Sequence, residues 1–427
     1  MYKLRTVEIV GFRGGAKSIK LELNSRANFI IGRNGTGKTT LINIIHSALS
    51  VDVAALIAAP FEVLTLKFKK DKDNRIPTVS VRKRIDESSR PAIQFSIQMS
   101  GKDDVRIFEL NAPVRKQHYL GDIFSRPEIT SDTATYLKST LSNLYKLTWL
   151  SLQRSKAREI ETPLLTTEDA QLSDVDRRMN HVVNDLVKYF VRLDKKVSDR
   201  TQAFQKDWFL SSLATVRNYS STSIYDITSH DDREALAAIF NRFGLKPHEY
   251  RKKIDSHFQI TQDAVERLKS QSPGRALDYM AAFDALRLHA HVEKWQTLEQ
   301  SQKEIYSPQT VFLKIVSDML YRKEIGVNRS NQIVVQSDDG LGIPLTELSS
   351  GEKQLIIFLS ETLLQEREPF IFMADEPELS LHVQWQEELV PNILTMNPNA
   401  QILFATHSPD IVNVYRQNII KMEELIN

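Results

Sequence analysis

Cysteine is absent from all 427 residues. Disulfides, thiolate metal sites and cysteine nucleophiles are therefore excluded, and a reducing compartment is compatible. A strong charge of either sign is also missing. The 56 basic and 54 acidic side chains leave a formal net charge of +2. No global attraction to nucleic acid or membrane follows, so any such binding needs a local patch. No apolar run approaches the length of a membrane span. Met1–Glu8 carries charges where a secretory leader needs an apolar core. These lacks predict a cytoplasmic protein with no membrane partner. Internal repeats and low-complexity tracts are missing too. What remains is ordinary globular composition, 41% hydrophobic and 26% charged, in a chain long enough for more than one domain.

The chain is organised around Gly32-Arg33-Asn34-Gly35-Thr36-Gly37-Lys38-Thr39, which fits the spacing G-x-x-x-x-G-K-[ST]. The apolar run Asn28–Ile31 leads in, and Thr40–His46 continues with helical spacing. Strand, glycine loop and helix form the context this motif needs. Glycine lets backbone N–H groups converge on a phosphate, and the helix start turns its positive dipole end to the same anion. Lys38 is placed to reach the β/γ-phosphates, and the Thr39 hydroxyl to ligate Mg²⁺.

Before this loop, Val7–Val10 and Ile19–Leu23 read as a hairpin with a wide turn around Gly14-Gly15. After it, Val63–Phe68, Thr78–Arg82, Ile93–Ile97 and Val105–Phe108 read as an antiparallel meander. Its basic residues Lys67, Lys69, Lys70, Lys72, Arg75, Arg82, Lys83 and Arg84 read as a charge-protected solvated face, with a nucleic-acid contact as the alternative. Leu147–Leu152 is a further strand. A long amphipathic helix begins near Asp174, capped by Ser173, with an apolar stripe from Val175 to Trp208. Shorter helices follow over Asp231–Phe243 and His248–Phe258. A second long run spans Gly274–Gln302, with Leu277, Met280, Phe283, Leu286, Val292, Trp295 and Leu298 as its stripe. The pair predicts an antiparallel helical arm.

A helix over Val311–Leu320 then follows Pro308. Leu348-Ser349-Ser350-Gly351-Glu352-Lys353-Gln354 opens an apolar helix, and Leu381–Leu394 is helical. Phe370–Ala374 and Gln401–Ala405 are continuous apolar runs, ending in Asp375-Glu376-Pro377 and Thr406-His407-Ser408-Pro409. Such runs alternating with helices indicate a parallel sheet covered on both faces. Asp375, at a strand's carboxyl end, suits a Mg²⁺ ion held with Thr39. Glu376 suits a general base for water, His407 a hydrogen bond to the γ-phosphate, and Gln153 a contact to both metal and attacking water.

Phosphate loop, Gln153, the Leu348–Glu352 signature, Phe370–Glu376 and Thr406-His407, in this order, resemble an ABC-type ATPase over residues 1–154 and 330–427. The helical insertion resembles the SMC/Rad branch. Ala374-Asp375-Glu376-Pro377-Glu378-Leu379-Ser380-Leu381-His382, Ala405–Pro409 and Phe12-Arg13-Gly14 resemble the OLD family and related anti-phage ATPases, such as the ATPase subunits of PARIS and Septu.

The resemblance implies an α/β fold: an ATPase head built from residues 1–154 and 330–427, with a helical insertion over 155–329. It implies ATP and Mg²⁺ as cofactors. Nucleotide contacts fall on Asn34, Gly35, Thr36, Gly37, Lys38, Thr39, Thr40 and Arg13. Glu376, His407 and Gln153 are implied in catalysis, and Thr39, Gln153 and Asp375 at the metal. Two copies would pack head to tail as a homodimer or higher oligomer, Ser350, Gly351 and Glu352 of one closing over the nucleotide of the other. OLD nucleases continue into a TOPRIM domain, for which Asp410–Asn427 is too short. The resemblance therefore implies a separate effector, a TOPRIM or HNH nuclease or toxin, with DNA or a phage protein as trigger. A DNA-repair ATPase is the alternative, though the long hooked members need a cysteine pair that is lacking here. A transporter subunit fits the helical insertion least.

Overall fold

The structure, a computed structural model, describes residues 1–15, 18–70, 73–85, 89–101, 103–111, 131–151, 173–213, 230–270 and 275–426. They form two units, Met1–Lys188 with Gln309–Asn427, and Tyr189–Pro308.

In the first unit, five strands form a parallel sheet. They are β3 (Ala27–Ile31), β8 (Leu147–Ser151), β12 (Ile371–Asp375), β13 (Gln401–Ala405) and β14 (Ile419–Lys421), in the order β14-β3-β13-β12-β8. Every residue of β12 and β13 is buried, as continuous apolar runs require. The pleat divides them. Ile371, Met373, Leu403 and Ala405 share one core cluster with Leu41, Ile42 and Ile45 of α1 (Lys38–Ser50). On alternate positions, Phe372 and Phe404 lie 5.9 Å apart, and Phe372 meets Phe358 of α8 (Ser350–Leu364) edge-on at 6.2 Å. Each of these fully buried rings contributes about 1.5–3 kcal/mol of transfer free energy.

A second sheet is antiparallel and six-stranded, in the order β2-β1-β4-β5-β6-β7. Its strands are β1 (Lys3–Val10), β2 (Ile19–Glu22), β4 (Val63–Lys69), β5 (Thr78–Ile85), β6 (Pro91–Gln98) and β7 (Arg106–Asn111). The predicted hairpin and meander are both present. Alternating residues such as Leu64, Leu66, Val79, Val81, Phe95 and Ile97 turn inward onto the cluster that includes α1. Of the basic residues, Lys69, Lys70, Arg75, Arg82 and Arg84 are exposed, in keeping with a solvated face, and several are paired. Lys67 pairs with Glu8 at 3.2 Å, Arg75 with Asp73, and Lys83 donates to the Ile57 and Ala59 carbonyls at the end of α2 (Val53–Ala58). Lys72 lies outside the described residues.

The second unit is helical. α4 (Asp174–Ser212) starts in the first unit, where Ser173 Oγ accepts from the Asp176 N–H as the cap. Within the second unit, α5 (His230–Arg242) and α6 (Pro247–Lys269) enclose Leu236, Tyr250 and Ile254 together with Val292 of α7 (Ala276–Met319). α6 runs past Phe258 because Thr261, Ala264 and Val265 continue its buried face without a breaker. α7 differs twice from expectation. It passes through Pro308 rather than ending before it. Proline there forfeits one backbone hydrogen bond, at about 3 kcal/mol, while Phe312, Val316 and Met319 beyond it are buried and hold the helix in register. Leu277 and Met280 are exposed; the buried face at the start of α7 instead carries Asp278, paired with Arg267, and then Ala282 and Ala285.

A small sheet of β9 (Lys323–Val327), β10 (Ile333–Ser337) and β11 (Gly342–Ile343) precedes α8. β9 was not evident from sequence. The chain then passes through α9 (Val383–Met396) and α10 (Pro409–Val412) to β14 and α11 (Met422–Ile426). Of the segment after His407, β14 joins the parallel sheet and covers the edge of β3.

Candidate nucleotide site

The carboxyl ends of β3, β12 and β13 meet at one place. β3 leads into the 32–39 loop, whose Gly35 and Gly37 have φ of 82° and 98°. These left-handed angles are open to glycine at little cost. Beside Gly37 stand Phe12 and Arg13, and Arg13 Nη1 donates to the Gly35 carbonyl at 2.7 Å. Arg13 itself adopts a φ of 54° in the short turn after β1. Thr36 Oγ1 donates to the Arg33 carbonyl at 2.8 Å. Asn34 is exposed, and Thr40 is half-buried in the first turn of α1.

Lys38 is buried. Its Nζ donates to the Gly32 carbonyl at 2.9 Å and lies 2.5 Å from His407 Nε2 at the end of β13. Burial lowers the Lys38 pKa, against the pull of Glu376 and Asp375. Thr39 Oγ1 lies 3.4 Å from Asp375 Oδ1, and burial pushes the Asp375 carboxyl up to about 6. Glu376 turns away from the strand with a φ of 48°, a strained angle for a side-chain-bearing residue. Its N–H donates to the Ala405 carbonyl at 2.8 Å, and its Oε1 lies 3.8 Å from His407 Nε2. Lys38, Thr39, Asp375, Glu376 and His407 are therefore brought together. Gln153 lies outside the described residues; β8 ends at Ser151, the register partner of Asp375.

Ser350 is exposed at the start of α8. Ser349 caps this helix in a reciprocal box with Glu352. The Glu352 carboxylate also pairs with Lys323 at 2.6 Å. Burial would raise its pKa, but the Lys323 and Ser349 hydrogen bonds outweigh that and lower it. Glu352 is thus occupied in shaping the helix start that presents Ser350 and Gly351. At Gly351 an added Cβ would sit 2.3 Å from the Ser380 carbonyl, so only glycine fits this approach.

Two further residues touch the site. Glu423 of α11 accepts from the Arg33 N–H at 2.8 Å, and that hydrogen bond lowers its pKa. Nothing local in sequence signals this contact. Glu378 accepts from the His407 N–H at 2.6 Å; it falls within the Asp375–His382 run, without a role legible there.

A phosphate loop opening a helix, with an acidic pair and a histidine at the ends of the neighbouring parallel strands, defines a P-loop nucleoside triphosphatase. More particularly, residues 2–412 match the AAA ATPase domain family, and the chain belongs to it. It is 21% identical to the "Retron Vc95 probable ATPase" of Vibrio cholerae, over 98% of this chain and 73% of that protein. To the "Retron Ec83 probable ATPase" of Escherichia coli it is 25% identical, over 31% of this chain and 28% of that one. Among solved structures, the Smc head domain of Pyrococcus furiosus aligns with a TM-score of 0.43 at 13% identity, covering 99% of this chain and 93% of that one. The Smc head domain of Pyrococcus yayanosii gives 0.41 and 12%, covering 99% and 95%. No helix of the described residues is long and apolar enough to cross a membrane.

Proposed function

We propose that the protein binds and hydrolyses ATP, that its site is completed by a second copy of the chain, and that this cycle makes it the sensing, regulatory subunit of an anti-phage system acting through a separate effector. The observation that carries the ATPase reading is the meeting of Lys38, Thr39, Asp375, Glu376 and His407 at three adjacent strand ends. The similarity to retron ATPases supports an enzyme that works within a larger system.

Lys38 is held by a carbonyl and an imidazole, neither of which neutralises it. A buried ammonium in that state is poised to exchange them for phosphate oxygens, a stronger charge-assisted bond. The backbone N–H groups around Gly35 and Gly37 and the start of α1 receive the same anion. Thr39 Oγ1 and Asp375 Oδ1 form a pair of hard oxygen donors that fits Mg²⁺, with Gln153 as the third implied ligand. When bound there, the ion supplies charge neutralisation at the β- and γ-phosphates. Glu376 takes a proton from the attacking water, and His407 hydrogen-bonds the γ-phosphate. Ser350 and Gly351 of the second copy complete the phosphate shell, so that hydrolysis is coupled to association and opening of the dimer.

The decisive variant is Glu376→Gln. It retains shape and ATP binding, loses turnover by about 10²–10⁴-fold, and accumulates as an ATP-bound dimer in native mass measurements. Hydrolysis at the parental rate in this variant would falsify the role given to Glu376.

A further inference from the structure

Glu378 is a carboxylate that the chemistry above leaves unused. Its Oε1 accepts from the backbone N–H of His407 at 2.6 Å and of Ser408 at 3.1 Å. These are the residues with which the chain leaves the end of β13. Its Oε2 is buried and has no hydrogen-bond partner among the described residues. A buried carboxylate oxygen without a partner is costly, so the engaged oxygen of this half-buried side chain marks what the group is there to hold.

The segment that carries Glu378 is itself fixed from two helices. The Pro377 carbonyl accepts from Gln354 Nε2 of α8 at 3.2 Å. Gln386 Nε2 of α9 donates to the Leu381 carbonyl at 2.8 Å, while Gln386 Oε1 accepts from Ser408 Oγ at 2.6 Å. Left-handed residues, Glu376 at φ 48° and Ser380 at φ 69°, stand at either side of the segment. Glu378 therefore reaches the histidine's backbone from a braced loop, one carboxylate oxygen accepting from two successive N–H groups.

We propose that Glu378 is a positioning residue. By holding the 407–408 backbone, it aims the His407 ring at Lys38 and Glu376. This rests on the ATPase reading of the site. His407 without that hold keeps its ring but loses its single orientation.

Two variants separate the outcomes. Glu378→Ala removes the acceptor, whereas Glu378→Gln keeps an oxygen for both N–H groups. The histidine ring signals are followed by NMR with ε1-¹³C-labelled histidine, with the His407 signal assigned from His407→Ala. Alanine is expected to shift or broaden the His407 signal and spare the others. It should lower kcat by at least about tenfold with KM within about threefold, and glutamine should restore both readouts to within about threefold. An unmoved His407 signal, or an alanine kcat within about twofold of the parent, overturns the proposal. So does a loss in alanine that glutamine does not rescue. A parent chain that fails to hydrolyse ATP would sink the ATPase reading instead, while the ring signal still judges Glu378.

Discussion

Lys38 Nζ and His407 Nε2 stand 2.5 Å apart, within hydrogen-bond distance. The cation proposed to bind phosphate and the group proposed to sense it thus contact each other directly. Lys38→Met and His407→Ala should therefore separate. Methionine should weaken ATP binding by about 10–100-fold, the worth of a charge-assisted bond, by calorimetry. Alanine at 407 leaves the Gly32 carbonyl anchor. Affinity should stay within about threefold while turnover falls at least about tenfold. Equal losses of affinity in both variants would contradict the separate roles.

Asp375 gives a pH dependence with a definite sign. Its pKa rises from 3.8 to about 6, chiefly through burial. The folded state thus holds this proton over a pH range in which the unfolded chain has released it. This group's contribution to stability falls as pH rises from about 4 through 6 and stays low above. Asp375→Asn keeps an oxygen for Thr39 and removes the buried charge. In metal-free buffer it should unfold at higher urea than the parent at pH 7.5, with the difference vanishing near pH 4. A difference independent of pH would show that the buried charge is not its cause.

Gly351 faces the Ser380 carbonyl at a distance no Cβ tolerates. Gly351→Ala should cost about 1–3 kcal/mol in urea unfolding, the usual penalty of overpacking. Ser350→Ala, at an exposed position, should leave stability unchanged and lower ATP-driven dimerisation measured by native mass. Equal unfolding midpoints for Gly351→Ala and the parent would mean that the loop yields.

Glu423 places a negative charge beside the loop proposed to receive a triphosphate. Glu423→Gln retains an acceptor for the Arg33 N–H and deletes the charge. ATP affinity should rise by a few-fold at low salt, and the gain should shrink as the Debye length falls to about 8 Å at physiological ionic strength. A loss of affinity would instead make the ionic form of this contact a support of the loop.

The phosphate loop, Asp375, Glu376 and His407 were legible because each sits at the end of an apolar run whose strand placement follows from pattern alone. The meander was legible through alternation, as in Val79 and Val81. Other features were not, for separate physical reasons. Glu423 meets Arg33 across nearly the whole chain, a contact no local pattern encodes. Pro308 signals a helix end, but the buried residues after it override that local preference. Leu277 and Met280 fit an apolar stripe by spacing, yet small residues and the Asp278–Arg267 pair occupy the buried side of α7. Glu352 belongs to a nucleotide-contacting signature by resemblance, while its carboxylate is engaged by Ser349 and Lys323.

The parallel sheet also sets a timetable. β3, which carries the phosphate loop, lies between β13 and β14, and Ala27 pairs with Ile402. On a ribosome the loop emerges well before either neighbouring strand of β3. Contacts of such separation close late. The nascent chain therefore carries its phosphate loop with neither flanking strand in place until β13 and β14 have been made.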